Sequence, residues 1–167
     1  MGRLVDGDWK TDSFVSHSDD GSFKRAETTF HDTVSAGGDH PPESGRYHLY
    51  VSYACPWAHR TLITRALEGL EDAIDVSVVS PLMGDEGWTF DDDFPGSTGD
   101  RLFGLDYLRE VYTRVDPDVT TRVTVPILYD TKADTIVNNE SEEILRIFDS
   151  GFGDLADPEI DLRPDAL

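Results

Sequence analysis

The sequence predicts an α/β domain whose strands form one four-stranded mixed sheet, and three observations carry that prediction. A strand, a helix and a second strand fit within about 30 residues, the length of a βαβ unit with parallel strands. A second helical pattern follows at residues 104–115. Two apolar runs then flank a short polar turn and lead into a last helix, so the order is βαβ, helix, ββ, helix.

Each element rests on its own pattern. Residues 48–52 (HLYVS) form a short apolar run suited to a buried strand. Beyond the Cys55-Pro56 turn, residues 57–70 place Leu62, Ile63, Ala66, Leu67 and Leu70 at helical spacing, with Gly69 in the last turn. Residues 74–79 (IDVSVV) carry the β-branched side chains of a second strand. Residues 80–103 are a long loop holding Trp88, Phe90, the triplet Asp91-Asp92-Asp93 and Pro95; a loop this long is usually functional or packed on another element. In residues 104–115, Leu105, Leu108, Val111 and Tyr112 share one helical face. Residues 125–129 and 135–137 flank the turn at 130–134 as a hairpin. Asn139, with Glu142 three residues on, predicts a capped helix to about Phe148. This order is the thioredoxin-like arrangement.

The predicted domain occupies residues 46–150. Residues 1–45 are polar and rich in Gly, Ser and Asp, with apolar residues only at intervals (Phe14, Phe23, Phe30, Val34), and read as an extended N-terminal arm that packs on something else. Residues 151–167 lose periodicity and read as a linker or tail.

Charge narrows the function classes. Asp and Glu total 34 against 14 Lys and Arg, a formal net charge of −20. Such a field repels nucleic acid and anionic lipid, so neither is expected as a partner. The acids are spread along the chain and lysine is scarce, a pattern that reads as adaptation to a salt-rich (halophilic) cytoplasm rather than as a binding site. No apolar run approaches the roughly 18 residues of a membrane span. One cysteine excludes an internal disulfide and a multi-cysteine zinc site, and the expected location is a reducing cytoplasm.

That cysteine sits in Tyr53-Ala54-Cys55-Pro56-Trp57-Ala58-His59-Arg60, where the first strand turns into the first helix. The positive end of a helix favours thiolate over thiol, and Pro56 suits the first helical position because its missing N–H would be unpaired there anyway. An inert buried cysteine is the alternative. With Ala at position 58, a reactive Cys55 has to be resolved by an external thiol.

The remaining candidates surround it. Val125-Pro126 precedes the third strand; in a thioredoxin-like fold a proline here is often cis and leaves the preceding backbone free to pair with an extended ligand. Glu140-Ser141 is either capping chemistry or a site where Ser141 holds a carboxylate and Glu140 an ammonium group, the two groups of a γ-glutamyl end. Trp88 and Phe90 are loop anchors or pocket walls. Arg122 is a surface charge or the partner of a second ligand carboxylate. His59 lies one turn from Cys55 and reads as structural. The Asp91–Asp93 run reads as a solvated acidic stretch, so no metal is expected.

Taken together, YHLYVSYACPWAHRTLITRALEGLEDAIDVSVVSPLMGDEGWTF, FPGSTGD and RVTVPILYDTKADTIVNNESEEILRIF resemble the glutathionyl-hydroquinone reductases, the Xi class of glutathione transferases. The arm segment GSFKRAETTFH also fits that family's pattern. The resemblance implies Cys55 as nucleophile and Trp88, Arg122, Val125 (through its backbone), Glu140 and Ser141 as the holders of glutathione or a related γ-glutamyl thiol. It implies attack on a glutathionyl-hydroquinone, release of the hydroquinone, and a Cys55–glutathione mixed disulfide cleared by a second glutathione. Family members continue into an all-helical C-terminal domain. The expectation is therefore an N-terminal half, with residues 151–167 leading toward that domain and a separate helical chain or a homodimer as possible partners. A general thiol transferase of Omega or glutaredoxin type, or a non-catalytic thiol-binding half, are the alternative functions.

Overall fold

The computed structural model describes residues 2–11 and 28–164. Its central sheet is built from β3 (Tyr47–Val51), β4 (Ile74–Val78), β6 (Ile127–Asp130) and β7 (Thr135–Asn138), in the order β4-β3-β6-β7. Strand β3 runs parallel to β4, with Leu49 opposite Val76, and antiparallel to β6, with Leu49 opposite Leu128. Strands β6 and β7 pair as the expected hairpin. All five residues of β3 are buried, which is why its sequence is a continuous apolar run without alternation. The connection from β3 to β4 carries α1 (Pro56–Leu67) and a 3₁₀ turn at Leu70–Asp72; α2 (Leu108–Val115) and α3 (Ser141–Ser150) follow in the expected places.

Helix α1 buries a different face from the one its apolar spacing predicts. Ala58, Thr61 and Thr64 are buried, whereas Ile63 and Leu67 are 50% and 48% exposed. The buried face packs on α3, and close approach of two helices selects small side chains. The two threonines enter it cheaply because their hydroxyls donate to carbonyls of their own helix, Thr61 to Ala58 at 2.7 Å and Thr64 to Arg60 at 3.1 Å. Leu70 does reach the core, from the 3₁₀ turn that follows the left-handed Gly69.

Two helix starts shift for reasons of capping. Helix α2 begins at Leu108 rather than near Gly104, because the Glu110 carboxylate accepts from the amides of Tyr107 and Asp106 and fixes the first turn there. Helix α3 is capped by Glu140, not Asn139. Asn139 is buried and ties three segments together: its Oδ1 accepts from Phe30 N and its Nδ2 donates to the Tyr112 hydroxyl, itself bonded to Thr124.

The arm is not simply extended. Strands β1 (Arg3–Val5) and β2 (Asp8–Lys10) form a hairpin, and β1 also pairs with β5 (Thr121–Arg122) in a second, three-stranded sheet. Its two-residue turn is Asp6-Gly7, both at positive φ, the geometry that an Asp-Gly pair serves. A side chain at Gly7 would also collide with the Pro117 carbonyl, 1.9 Å from an ideal Cβ. Leu4 is buried, and the Trp9 indole donates to the Asp85 carbonyl at 2.9 Å, so the hairpin holds the loop that carries Trp88. Phe30 and Val34 join the core as expected, while Phe14 and Phe23 lie outside the described residues. The tail after α3 is anchored too: Phe152 is buried against Tyr47 and Phe148.

Candidate active site around Cys55

Strand β3 ends at Val51, and three residues of turn bring Cys55 to the N-cap of α1. The turn is closed by its own backbone: Cys55 N donates to the Ser52 carbonyl at 3.1 Å, and the Cys55 carbonyl accepts the helix bond from His59 N at 2.9 Å. Pro56 occupies the first helical position. The sulfur is half-buried, and its thiol donates to the Val125 carbonyl at 3.7 Å. The Val125-Pro126 bond is cis and Val125 is buried, so the strand-start loop is held against the helix start.

A second arm of the site starts at the N-terminus of α3. Glu140 caps the helix, accepting from Glu142 N, and its own amide donates to Asn138 Oδ1 at 2.8 Å. Ser141 is buried, and its hydroxyl is already engaged. Arg60 of α1 donates to it twice, from Nη2 at 2.6 Å and Nε at 3.2 Å, and the Ser141 hydroxyl in turn lies 3.4 Å from Glu140 Oε1. Ser141 thus forms part of a relay with Arg60. Arg60 went unassigned in the sequence, although it belongs to the same octapeptide as Cys55; nothing local shows that a position in the second turn of α1 reaches the start of α3.

The other expected residues have these places. Trp88 lies half-buried in the long loop, its carbonyl accepting from Leu108 N at 3.0 Å, and packs on the core. Arg122 is in β5, opposite Arg3. His59 is exposed. The carboxylates of Asp91, Asp92 and Asp93 come within 4.8 Å of one another, all exposed. The geometry therefore joins Cys55 directly to Val125, and Ser141 to Glu140 and α1.

Two neighbouring features went unread in the sequence. An apolar pocket of about 250 Å³ opens at the carboxyl ends of β3 and β4, lined by Tyr53, Ala54, Val78, Pro81, Phe94 and Pro95, beside the Cys55 turn. In open α/β sheets ligands gather at that end of the strands. On the other side, His31 braces α3: one ring nitrogen meets Glu143 at 2.9 Å and the other the Thr28 carbonyl at 2.9 Å. The Glu143 carboxylate and the Thr28 carbonyl together hold His31 protonated above its usual range.

A cysteine capping the first helix of a β4-β3-β6-β7 sheet, opposite a cis X-Pro, defines a thioredoxin-like thiol domain. More narrowly, the chain belongs to the glutathione S-transferase N-terminal domain family, whose sequence model matches residues 54–150. The glutathionyl-hydroquinone reductase YqjG of Escherichia coli is 49% identical over 175 aligned residues, covering 100% of this chain and 53% of that protein. An Xi-class glutathione transferase from Natrialba magadii superposes with a TM-score of 0.88 at 55% identity, over 99% of this chain and 50% of its own. The glutathione-bound structure of YqjG superposes with a TM-score of 0.81 at 46% identity, over 96% and 49%. The chain thus spans about half the length of these relatives.

Proposed function

We propose that the protein is a glutathione-dependent thiol reductase and transferase that reduces glutathionyl-hydroquinones through Cys55. The observation that carries this is the 3.7 Å contact of Cys55 Sγ with the carbonyl before the cis proline. It supports Cys55 as a nucleophile beside the backbone edge where the cysteinyl part of glutathione would lie. Glu140 and Ser141 would take the γ-glutamyl ammonium and carboxylate, Trp88 would wall the site, and Arg122 would meet the glycine carboxylate. The apolar pocket beside Tyr53 supports an aromatic group on the far side of the sulfur.

The chemistry balances in two steps. The Cys55 thiolate attacks the glutathionyl sulfur, the carbon–sulfur electron pair leaves with the ring carbon, and that carbon takes up a proton. A Cys55–glutathione disulfide remains. The thiolate of a second glutathione attacks it, giving glutathione disulfide and free Cys55, so two thiol equivalents supply the two electrons that reduce the ring. A related γ-glutamyl thiol would serve equally, since the α3 site addresses only the γ-glutamyl end. No metal enters these steps.

Trp57, Ile63 and Leu67 expose apolar surface along α1, which supports a helical domain, a separate helical chain or a second copy as the covering partner. Among the described residues no helix is long and apolar enough to cross a membrane; a reducing cytoplasmic setting fits a single working thiol.

The test is direct. Incubation with glutathione disulfide should add one glutathionyl unit at Cys55 by mass spectrometry, and Cys55→Ser should remain unmodified while still binding glutathione. Hydroquinone release from a glutathionyl-hydroquinone should vanish in the same variant. A folded wild-type chain that takes up no glutathionyl unit refutes the reading; adduct formation without hydroquinone release points to a general thiol transferase.

A further inference from the structure

We infer that Arg60 is a positioning residue that makes the Ser141 hydroxyl a committed hydrogen-bond donor, and so selects thiols carrying an α-carboxylate; this rests on the glutathione reading above. A serine hydroxyl has one proton to give and two lone pairs to fill. Here one guanidinium points two N–H groups at that oxygen from one side, Nη2 at 2.6 Å and Nε at 3.2 Å, so the hydroxyl accepts there and its proton is turned away. The proton therefore points to the far side, where its present contact, Glu140 Oε1 at 3.4 Å, is long for an O–H donor. A ligand carboxylate arriving at the start of α3 would offer that proton a better acceptor.

The arrangement is also selective in sign. With two guanidinium N–H groups against it, the Ser141 hydroxyl cannot turn its proton inward to accept from an ammonium group without setting donor against donor. The positive guanidinium behind it favours an anion in front. Arg60 is itself fixed, its Cζ lying 5.0 Å from the Trp57 ring centroid in cation–π contact. Lysine would keep the charge but not the fork, because an ammonium is a point charge without the planar pair of N–H groups. The ammonium of the same ligand end is left to Glu140, so the two charges of the γ-glutamyl group are sorted between adjacent residues.

The experiment compares glutathione with 4-aminobutanoyl-cysteinylglycine, which lacks only the α-carboxylate, using the full chain and calorimetric or competition binding. Wild type should prefer glutathione about 10- to 100-fold, the range of a hydrogen bond to a charged group. Arg60→Gln should erase most of that preference while changing affinity for the analogue by less than about twofold, and Arg60→Lys should fall between. In a Ser141→Ala background, Arg60→Gln should add nothing further, because its influence passes through the hydroxyl. Equal losses for both ligands, or none, would make Arg60 a purely structural tie and overturn the inference. So would a full Arg60→Gln effect persisting without the serine. Should Arg60→Gln not fold, Arg60→Lys decides: a weakened preference for glutathione supports the inference, and a preference equal to that of the wild type overturns it. A wild type that binds neither ligand refutes the glutathione reading itself, a result distinct from these.

Discussion

Glu68 closes the last turn of α1 with its side chain enclosed, and neither carboxylate oxygen has a hydrogen-bond partner among the described residues. Burial, then the nearby charges of Asp149, Asp157 and Asp161, push its pKa up to about 7 from an ordinary 4.5. Asp130, equally enclosed, has the opposite fate. Burial would raise it, but hydrogen bonds from Arg46, His40 and the amides of Ala133 and Lys132 outweigh that and hold it at about 2 instead of 3.8. The signs are therefore opposed. Folding favours the protonated Glu68, so its cost is absent below pH 4.5, grows as pH rises, and is complete above about 7. Glu68→Gln should raise stability by about 1–3 kcal/mol at pH 8, with no gain at pH 4, by urea denaturation. Folding favours ionised Asp130, so its contribution is present above pH 3.8 and is lost as pH falls through about 2. Asp130→Asn should cost about 3–5 kcal/mol at neutral pH, because Arg46 and His40 lose the anion they both face.

At the scale of elements, α1 is the informative case. Its apolar spacing correctly announces a helix, yet the side it buries is Ala58, Thr61 and Thr64. Polarity in sequence cannot show that a threonine hydroxyl will be satisfied by its own helix, or that the facing helix comes so close. Ala58→Leu should therefore cost about 1–3 kcal/mol by overpacking against the neighbouring elements. Ile63→Gln and Leu67→Gln should each stay within about 0.5 kcal/mol in thermal melts of the isolated chain. The central strands were legible because a fully buried strand leaves a continuous apolar run, as in residues 47–51, and the hairpin because Asp130–Asp134 interrupts two such runs. The β1–β2 hairpin was not, since Arg3, Asp8 and Lys10 mask its pattern and only Asp6-Gly7 advertised it. In the site, Cys55 and Val125-Pro126 were readable as local motifs. Arg60 was not, because its partner Ser141 is 81 positions away.

At the scale of the whole molecule, a formal charge of −20 sets the conditions under which these contacts operate. Exposed acids repel one another over a Debye length of about 10 Å at 0.1 M salt, shrinking to about 3 Å at 1 M. Buried contacts such as Arg46–Asp130, with side chains 10% and 0% exposed, lie largely outside that screening. Added potassium chloride should therefore relieve the repulsion while leaving the buried ion pair in place, and the melting temperature should rise between 0.1 and 1 M. Sucrose, which strengthens burial without screening charge, separates the two origins. If the gain is electrostatic, neutralising exposed acids such as Asp91, Asp92 and Asp93 together should raise the melting temperature at 0.1 M and shrink the salt response. A salt response identical in that triple variant and in the wild type would assign the effect to burial instead.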